Sequence, residues 1–273
     1  MEVGDRLTAA ERRVAEAVVT EPARVAFGTV AELAGRSSSS GPTVLRLAAK
    51  LGFDGFASLQ VAVQEELSDQ LRPAVERIRT QSATSPLRRA AAVEAANVAA
   101  TFDAVDRAAF ERAARRLADP RHRVLVLAGE GSLGVATAIA SELDLLRKGV
   151  QLLTGSPVAV GRDLSRITPG DVVLAIELRR YERWVLAAAV DATARGASLV
   201  AVTDSLLSPL AEGASEAFVA SAVGTGPFDS HVGILALGNA LVADVALRLR
   251  SSATARLDAV EAAMTASDAL TDR

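Results

Sequence analysis

Val124-Leu125-Val126-Leu127-Ala128-Gly129-Glu130-Gly131-Ser132-Leu133-Gly134 is the stretch on which the fold turns. Five apolar residues run into a glycine-rich turn, and a helix-length segment follows as far as Arg147-Lys148-Gly149. A basic last turn closed by glycine is a helix ending. The same ending recurs at Ala194-Arg195-Gly196, and Pro169-Gly170-Asp171 makes a turn. Further short apolar runs stand at Val150–Leu153, Val172–Ile176, Leu199–Val202 and Phe218–Ala220. Continuous apolar strands alternating with helices mean a parallel sheet covered on both faces. Residues 121–250 are therefore expected to form an α/β doubly wound domain on five parallel strands. Residues 251–273 are expected to add a final helix through Leu257, Val260 and Met264, then a fraying tail.

The turn matches G-x-G-x-x-G, the dinucleotide pattern. That reading needs an acidic residue at the end of the next strand to hold a ribose. The strand ends in Leu153-Thr154-Gly155-Ser156, which carries no carboxylate, so no nicotinamide cofactor is expected. Two readings stay open for the turn. Its bare N–H groups at a helix N-terminus favour an anion, or the glycines serve only close strand–helix packing.

Residues 1–72 read differently, as an all-α unit. Thr8 and Glu11 form a capping box ahead of Ala10, Val14, Ala17 and Val18 at helical spacing. Pro22 starts a second short helix, and Thr29 caps a third whose apolar face is Val30, Leu33 and Ala34. After Gly35-Arg36-Ser37-Ser38-Ser39-Ser40-Gly41, Pro42 suits the first helical position, with Ser40 or Gly41 as cap. In the helix that follows, Val44, Leu47, Ala48 and Leu51 share one side, and Thr43, Arg46 and Lys50 share another. Two short helices joined tightly, the second slim at its start and basic beyond it, describe a helix-turn-helix. Ser39, Ser40, Gly41, Thr43, Arg46 and Lys50 are the candidate DNA-facing residues. Residues 73–120, rich in Ala and Arg, read as a helical linker broken near Ser82–Pro86.

Composition bounds the chemistry. The chain has 273 residues, half of them hydrophobic and 23% charged, which supports a packed core and excludes a disordered chain. It has no Cys and only two His, which excludes disulfides, Cys-ligated metals and thiol nucleophiles and disfavours a His-based metal site. Its net charge of -3 gives no global pull toward nucleic acid, so DNA binding needs a local patch. Leu33 to Phe53 offers one, with Arg36, Arg46 and Lys50 and no acidic residue. No apolar run approaches the ~18 residues of a membrane span, so a cytoplasmic protein is expected.

Leu7-Thr8-x-x-Glu11-Arg12-x-Val14-Ala15, Ala31-Glu32-Leu33-Ala34 and Arg46-x-Ala48-x-Lys50-Leu51-Gly52-Phe53-x-Gly55-Phe56 together resemble the N-terminal domain of RpiR-family transcriptional regulators. The resemblance covers residues 6–70. It departs at Ser40-Gly41-Pro42, which bears on the bases read. Such regulators carry a C-terminal SIS (sugar isomerase) domain whose relatives bind phosphosugars. Gly129–Gly134 resembles the first SIS ligand loop, Asp171–Ile176 the third strand, Gly196–Asp204 the fourth strand and its loop, and Ser208-Pro209-Leu210-Ala211 a helix start.

The resemblance implies a homodimer or homotetramer that reads double-stranded operator DNA and senses a small anionic effector, a phosphosugar or carboxylate. It implies a sensor rather than an enzyme. The alternative is a SIS-fold sugar-phosphate isomerase, with Glu130, Glu177 or His231 as base. Candidate ligand residues are Gly129, Glu130, Gly131, Ser132, Glu177, Arg179, Arg180, Thr203, Asp204, Ser205 and His231. SIS domains usually place a Ser-x-Ser-Gly-x-Thr phosphate cradle after the third strand. This chain has Glu177-Leu178-Arg179-Arg180-Tyr181-Glu182 there. Either the two arginines replace the cradle, since guanidinium holds phosphate bidentately, or they pair with Glu177 and Glu182. Tyr181 and Trp184 either wall a pocket or anchor the helix. Asp229 and Ser230 read as caps of the last helix.

Overall fold

A computed structural model describes residues 7–20, 25–26, 28–71, 78, 86–206 and 208–269. The chain forms two compact units, residues 1–77 and 78–273. The helix start at Pro22 and the break near Ser82 lie outside the described residues.

The first unit contains α1 (Ala9–Thr20), α2 (Val30–Arg36), α3 (Gly41–Lys50) and α4 (Phe56–Leu71). Local chemistry starts each of the first two. The Thr8 N–H donates to Glu11 Oε2 at 2.8 Å, and the Glu11 N–H donates to Thr8 Oγ1 at 3.3 Å. Thr29 and Glu32 make the same reciprocal box ahead of α2. The α2–α3 turn is pinned by its serines. Ser37 Oγ donates to Leu33 O at 2.7 Å and meets Ser39 Oγ at 2.8 Å, while Ser38 takes a left-handed φ of 45°. From α1, Arg13 Nε and Nη2 each donate at 3.1 Å to the carbonyls of Ser37 and Ser38. Val14, Leu33, Ala34, Val44, Leu47, Ala48, Phe56 and Leu59 form the core. Leu51, expected on the apolar side of α3, is 38% exposed. It is the C-cap residue, where the helical period ends, and Phe53 packs on the core instead.

The second unit is built on a five-stranded parallel sheet in the order β2-β1-β3-β4-β5. The strands are β1 (Val124–Ala128), β2 (Val150–Leu153), β3 (Val172–Ile176), β4 (Ser198–Thr203) and β5 (Glu216–Val219). Alternate residues point to opposite faces, and each face has its own core. Val124, Val126, Val172, Leu174, Val200 and Phe218 pack on one side. That side is covered by α6 (Arg107–Ala118), α7 (Leu133–Leu146) and α10 (Val232–Arg248). Leu125, Leu127, Val173, Leu199 and Ala201 pack on the other, against α8 (Pro157–Leu164) and α9 (Arg183–Ala194).

Three boundaries differ from the sequence reading. The fifth strand begins at Glu216, earlier than the apolar run. Glu216 is buried because Arg112 on α6 clasps it with bonds of 2.7 and 2.8 Å. Residues 86–118, expected as linker, form α5 (Pro86–Asp103) and α6, which pack on α10 within the second unit. Asn97 on α5 makes the tie: it donates to Val223 O at 2.8 Å and accepts from Ser221 Oγ at 2.8 Å and the Val223 N–H at 3.2 Å. Ser208–Ala211 folds as turns rather than a helix. The last helix, α11 (Arg250–Ala266), buries only Ala253 and is held to α7 by Arg256 Nε on Asp144 O at 2.9 Å. Among the described residues no single helix is long and apolar enough to cross a membrane.

Candidate functional site

In the first unit, α3 turns Thr43, Val44, Leu47 and Ala48 inward and leaves Pro42, Leu45, Arg46 and Ala49 outward. The expected DNA-facing residues divide accordingly. Ser40 and Arg46 are exposed, and Gly41 is half-buried. Ser39 is half-buried and bonded to Ser37. Thr43 is only 5% exposed, so it is not a surface contact. It sits instead between Ser40 Oγ at 2.9 Å and Arg46 Nη2 at 3.0 Å, and so positions Arg46. Lys50 leans back on α1. Its Nζ lies 2.7 Å from Glu11 Oε2, the carboxylate that already caps α1. The Lys50 ammonium and the Thr8 donors hold Glu11 down to about 2. Leu45 and Ala49 are not among the expected DNA-facing residues, yet they too are exposed. With Val44, Leu47 and Ala48 inward, the 3.6-residue period puts them outward beside Pro42 and Arg46.

In the second unit, the loops at the strand C-termini gather where the chain leaves β1 for one side of the sheet and β3 for the other. That reversal of strand order is where doubly wound folds bind ligands. Gly129, Glu130, Gly131 and Ser132 form the loop between β1 and α7. Glu177, Arg179 and Arg180 follow β3, Thr203, Asp204 and Ser205 follow β4, and His231 is the N-cap of α10. Hydrogen bonds tie these loops to one another at the C-terminal edge of the sheet. Ser132 Oγ lies 3.5 Å from His231 Nε2. Arg179 grips Asp229 Oδ1 at 2.5 and 3.0 Å, and Tyr181 donates to Asp204 at 2.8 Å.

The β1 loop is already occupied by carboxylates. The Gly129 N–H donates to Glu177 Oε2 at 2.7 Å, and the Glu130 N–H donates to Glu182 Oε1 at 2.5 Å. Trp184 Nε1 donates to the other Glu182 oxygen. A Cβ on Gly129 would lie 2.5 Å from Glu177 Oε2 and 2.6 Å from Glu182 Oε1, so a side chain there would displace the two carboxylates. Glu177 is buried, and desolvation pushes its carboxyl up to about 7, with Glu182 and Asp204 adding to the rise against the Gly129 bond. Burial and the adjacent Asp204 push the Tyr181 phenol up to about 12, so it remains a donor.

The two arginines are placed differently. Arg179 binds Asp229, which is therefore an ion-pair partner rather than a helix cap. Arg180 is exposed with a left-handed φ of 67°. Glu177 and Glu182 bind backbone N–H groups. Trp184 is an anchor, packed from the start of α9 against the core. Ser230 does cap, accepting the Val232 N–H at 3.2 Å. Thr203 is fully buried, Asp204 and Ser205 are half-buried, and Glu130 and Gly131 are exposed.

Two family models match the chain: the helix-turn-helix domain of the rpiR family over residues 2–70 and the SIS domain over residues 116–244. No curated protein matches it. Among solved structures, the sugar isomerase domain of an RpiR transcription factor from Sphaerobacter thermophilus is 30% identical, with a TM-score of 0.57, over 62% of this chain and 93% of that one. The Vibrio vulnificus NanR protein, complexed with ManNAc-6P, is 21% identical, with a TM-score of 0.58, over 96% of this chain and 94% of that one. A helix-turn-helix with an outward Arg46, followed by a SIS sheet with its crevice at the strand reversal, has the order and content of these relatives, and the chain belongs to the RpiR family of DNA-binding transcriptional regulators.

Proposed function

We propose that the chain is a one-component regulator whose SIS crevice receives a small anionic metabolite, a phosphorylated or carboxylated sugar derivative, and converts its binding into a change in operator affinity. The observation that carries this reading is the β1 loop, whose Gly129 and Glu130 N–H groups each hold a carboxylate oxygen. A loop that binds two internal anions is built to bind an external one. The effector anion exchanges with Glu182, the less buried of the two. Arg180 stands exposed on the adjacent loop, and the half-buried His231, bonded to Ser132, offers a polar atom to the remainder of the ligand.

The protein is read as a cytoplasmic homodimer or homotetramer, in which two N-terminal units meet the two halves of a pseudo-palindromic operator. The crevice is read as a sensor without turnover: Glu177, the best-placed base, is buried and spends Oε2 on Gly129. For the effector to regulate, it must prefer one arrangement of the oligomer. The expected coupling is about 1–3 kcal/mol, or roughly 5–150-fold in DNA affinity.

Thermal shift with a panel of sugar phosphates, sugar acids and free sugars tests the effector class, on wild type and on Glu182→Gln. An anion that raises Tm in wild type, and raises it further in Glu182→Gln, is the expected result. A free sugar that raises Tm while no anion does so in either protein overturns the anionic reading.

A further inference from the structure

The outward face of α3 carries little hydrogen-bonding chemistry. Pro42, Leu45, Arg46 and Ala49 occupy positions i, i+3, i+4 and i+7, a single stripe along the helix. Leu45 is 45% exposed on a helix whose other leucine, Leu47, is fully buried. Two of the hydrogen-bonding residues expected on this face are engaged elsewhere. Thr43 is buried beneath Arg46, and Lys50 is tied to Glu11. DNA is what covers this face, because α3 is the second helix of the helix-turn-helix.

We infer that Leu45 and Ala49 read the C5-methyl groups of thymine in the major groove, and that Arg46 is the cation of the face. Of the base edges in the major groove, only thymine presents a methyl, and apolar side chains are its partners. A leucine beside a cytosine or adenine amino group would desolvate a donor without replacing its hydrogen bond, which costs affinity. The stripe therefore selects thymine both by attraction and by penalty against the alternatives. Arg46, held by Thr43 Oγ1, is placed to meet a phosphate or a guanine edge next to those thymines.

The test uses the full-length protein and duplexes that it selects from a random-sequence pool. In each selected duplex, thymines are replaced one at a time by deoxyuridine, which removes only the methyl. Wild type is expected to bind about fourfold more weakly for each contacted methyl, the equivalent of about 0.8 kcal/mol. Leu45→Ser, an exposed substitution whose fold is checked by circular dichroism, is expected to bind the thymine and deoxyuridine duplexes alike at one of those positions. Arg46→Ala is expected to lose affinity and salt dependence but to keep the thymine preference. The inference is overturned if no deoxyuridine substitution weakens wild type, if Leu45→Ser keeps the wild-type preference, or if selection returns no sequence with thymine in common.

Discussion

The two units are stabilised over different chain distances. In the first unit, the bonds that begin its helices join residues three apart: Thr8 with Glu11 and Thr29 with Glu32. In the second, Asn97 reaches Val223, Arg112 reaches Glu216 and Arg147 reaches the carbonyl of Leu117. The helices of the first unit are begun by devices that local sequence specifies, and Arg13 on Ser37 and Lys50 on Glu11 then tie them together across 24 and 39 residues. The sheet unit depends on side chains that meet only after the strands have been ordered. The contrast extends to how each unit uses its carboxylates. Glu11 caps a helix and draws a cation onto it, whereas Glu177 and Glu182 cross from one loop to another and fill backbone donors.

The sharpest way to break this contrast is Asn97→Ala. It strands the Val223 N–H and carbonyl and the Ser221 hydroxyl, at roughly 3 kcal/mol for groups left unsatisfied. Trp184 is the only tryptophan, so its fluorescence follows the sheet unit alone. Its unfolding midpoint in urea is expected to fall clearly. An unmoved midpoint would mean that α5 is dispensable and that the linker reading of residues 73–120 was sound.

The next largest effect concerns pH. The Glu177 carboxyl is raised from an ordinary 4.5 to about 7 in the folded protein. Between those values the native state binds more protons than the unfolded chain, so stability falls as pH rises through that window and levels off above it. Glu177→Gln keeps an acceptor for Gly129 and removes the titration. It is expected to match wild type near pH 4 and to exceed it by up to about 3 kcal/mol at pH 8. Parallel stability curves for the two proteins would show that Glu177 titrates normally. The smallest effect is Thr29→Ala, which loses one cap at about 1 kcal/mol. It is expected to lower the far-ultraviolet dichroism melt of the helical unit while leaving Trp184 fluorescence unmoved. A shift in both signals would show that the two units unfold together.

The sequence was most readable where a pattern repeats within a few residues. The strand runs, the glycine endings at Gly149 and Gly196, and the capping boxes follow directly from spacing. Period 3.6 finds Val44, Leu47 and Ala48 on the inward face of α3, but it places Thr43 outward and Leu51 inward, the reverse of the structure. What escaped was decided at long range. Glu216 looked like the end of a loop because its partner Arg112 lies 104 residues away. Arg179 meets Asp229, 50 residues on, a partner that nothing near it in sequence announces. Lys50 looked like a DNA contact because nothing near it in sequence reveals Glu11, 39 residues before it. Charged side chains have long reach and few local preferences, so their partners are fixed by the fold. Of the crevice, the Gly129–Ser132 loop could be read in advance, but not what fills it.

If the effector exchanges with Glu182 as proposed, the internal carboxylates also set the concentration at which the sensor works. An incoming anion would take over N–H bonds that Glu182 already makes, so the number of hydrogen bonds would be nearly the same before and after binding. The free energy left over is a small difference between two similar acceptors. A receptor of this kind is expected to be half-saturated only when its metabolite is abundant. The regulator would then report the fullness of a metabolic pool rather than the first traces of a nutrient.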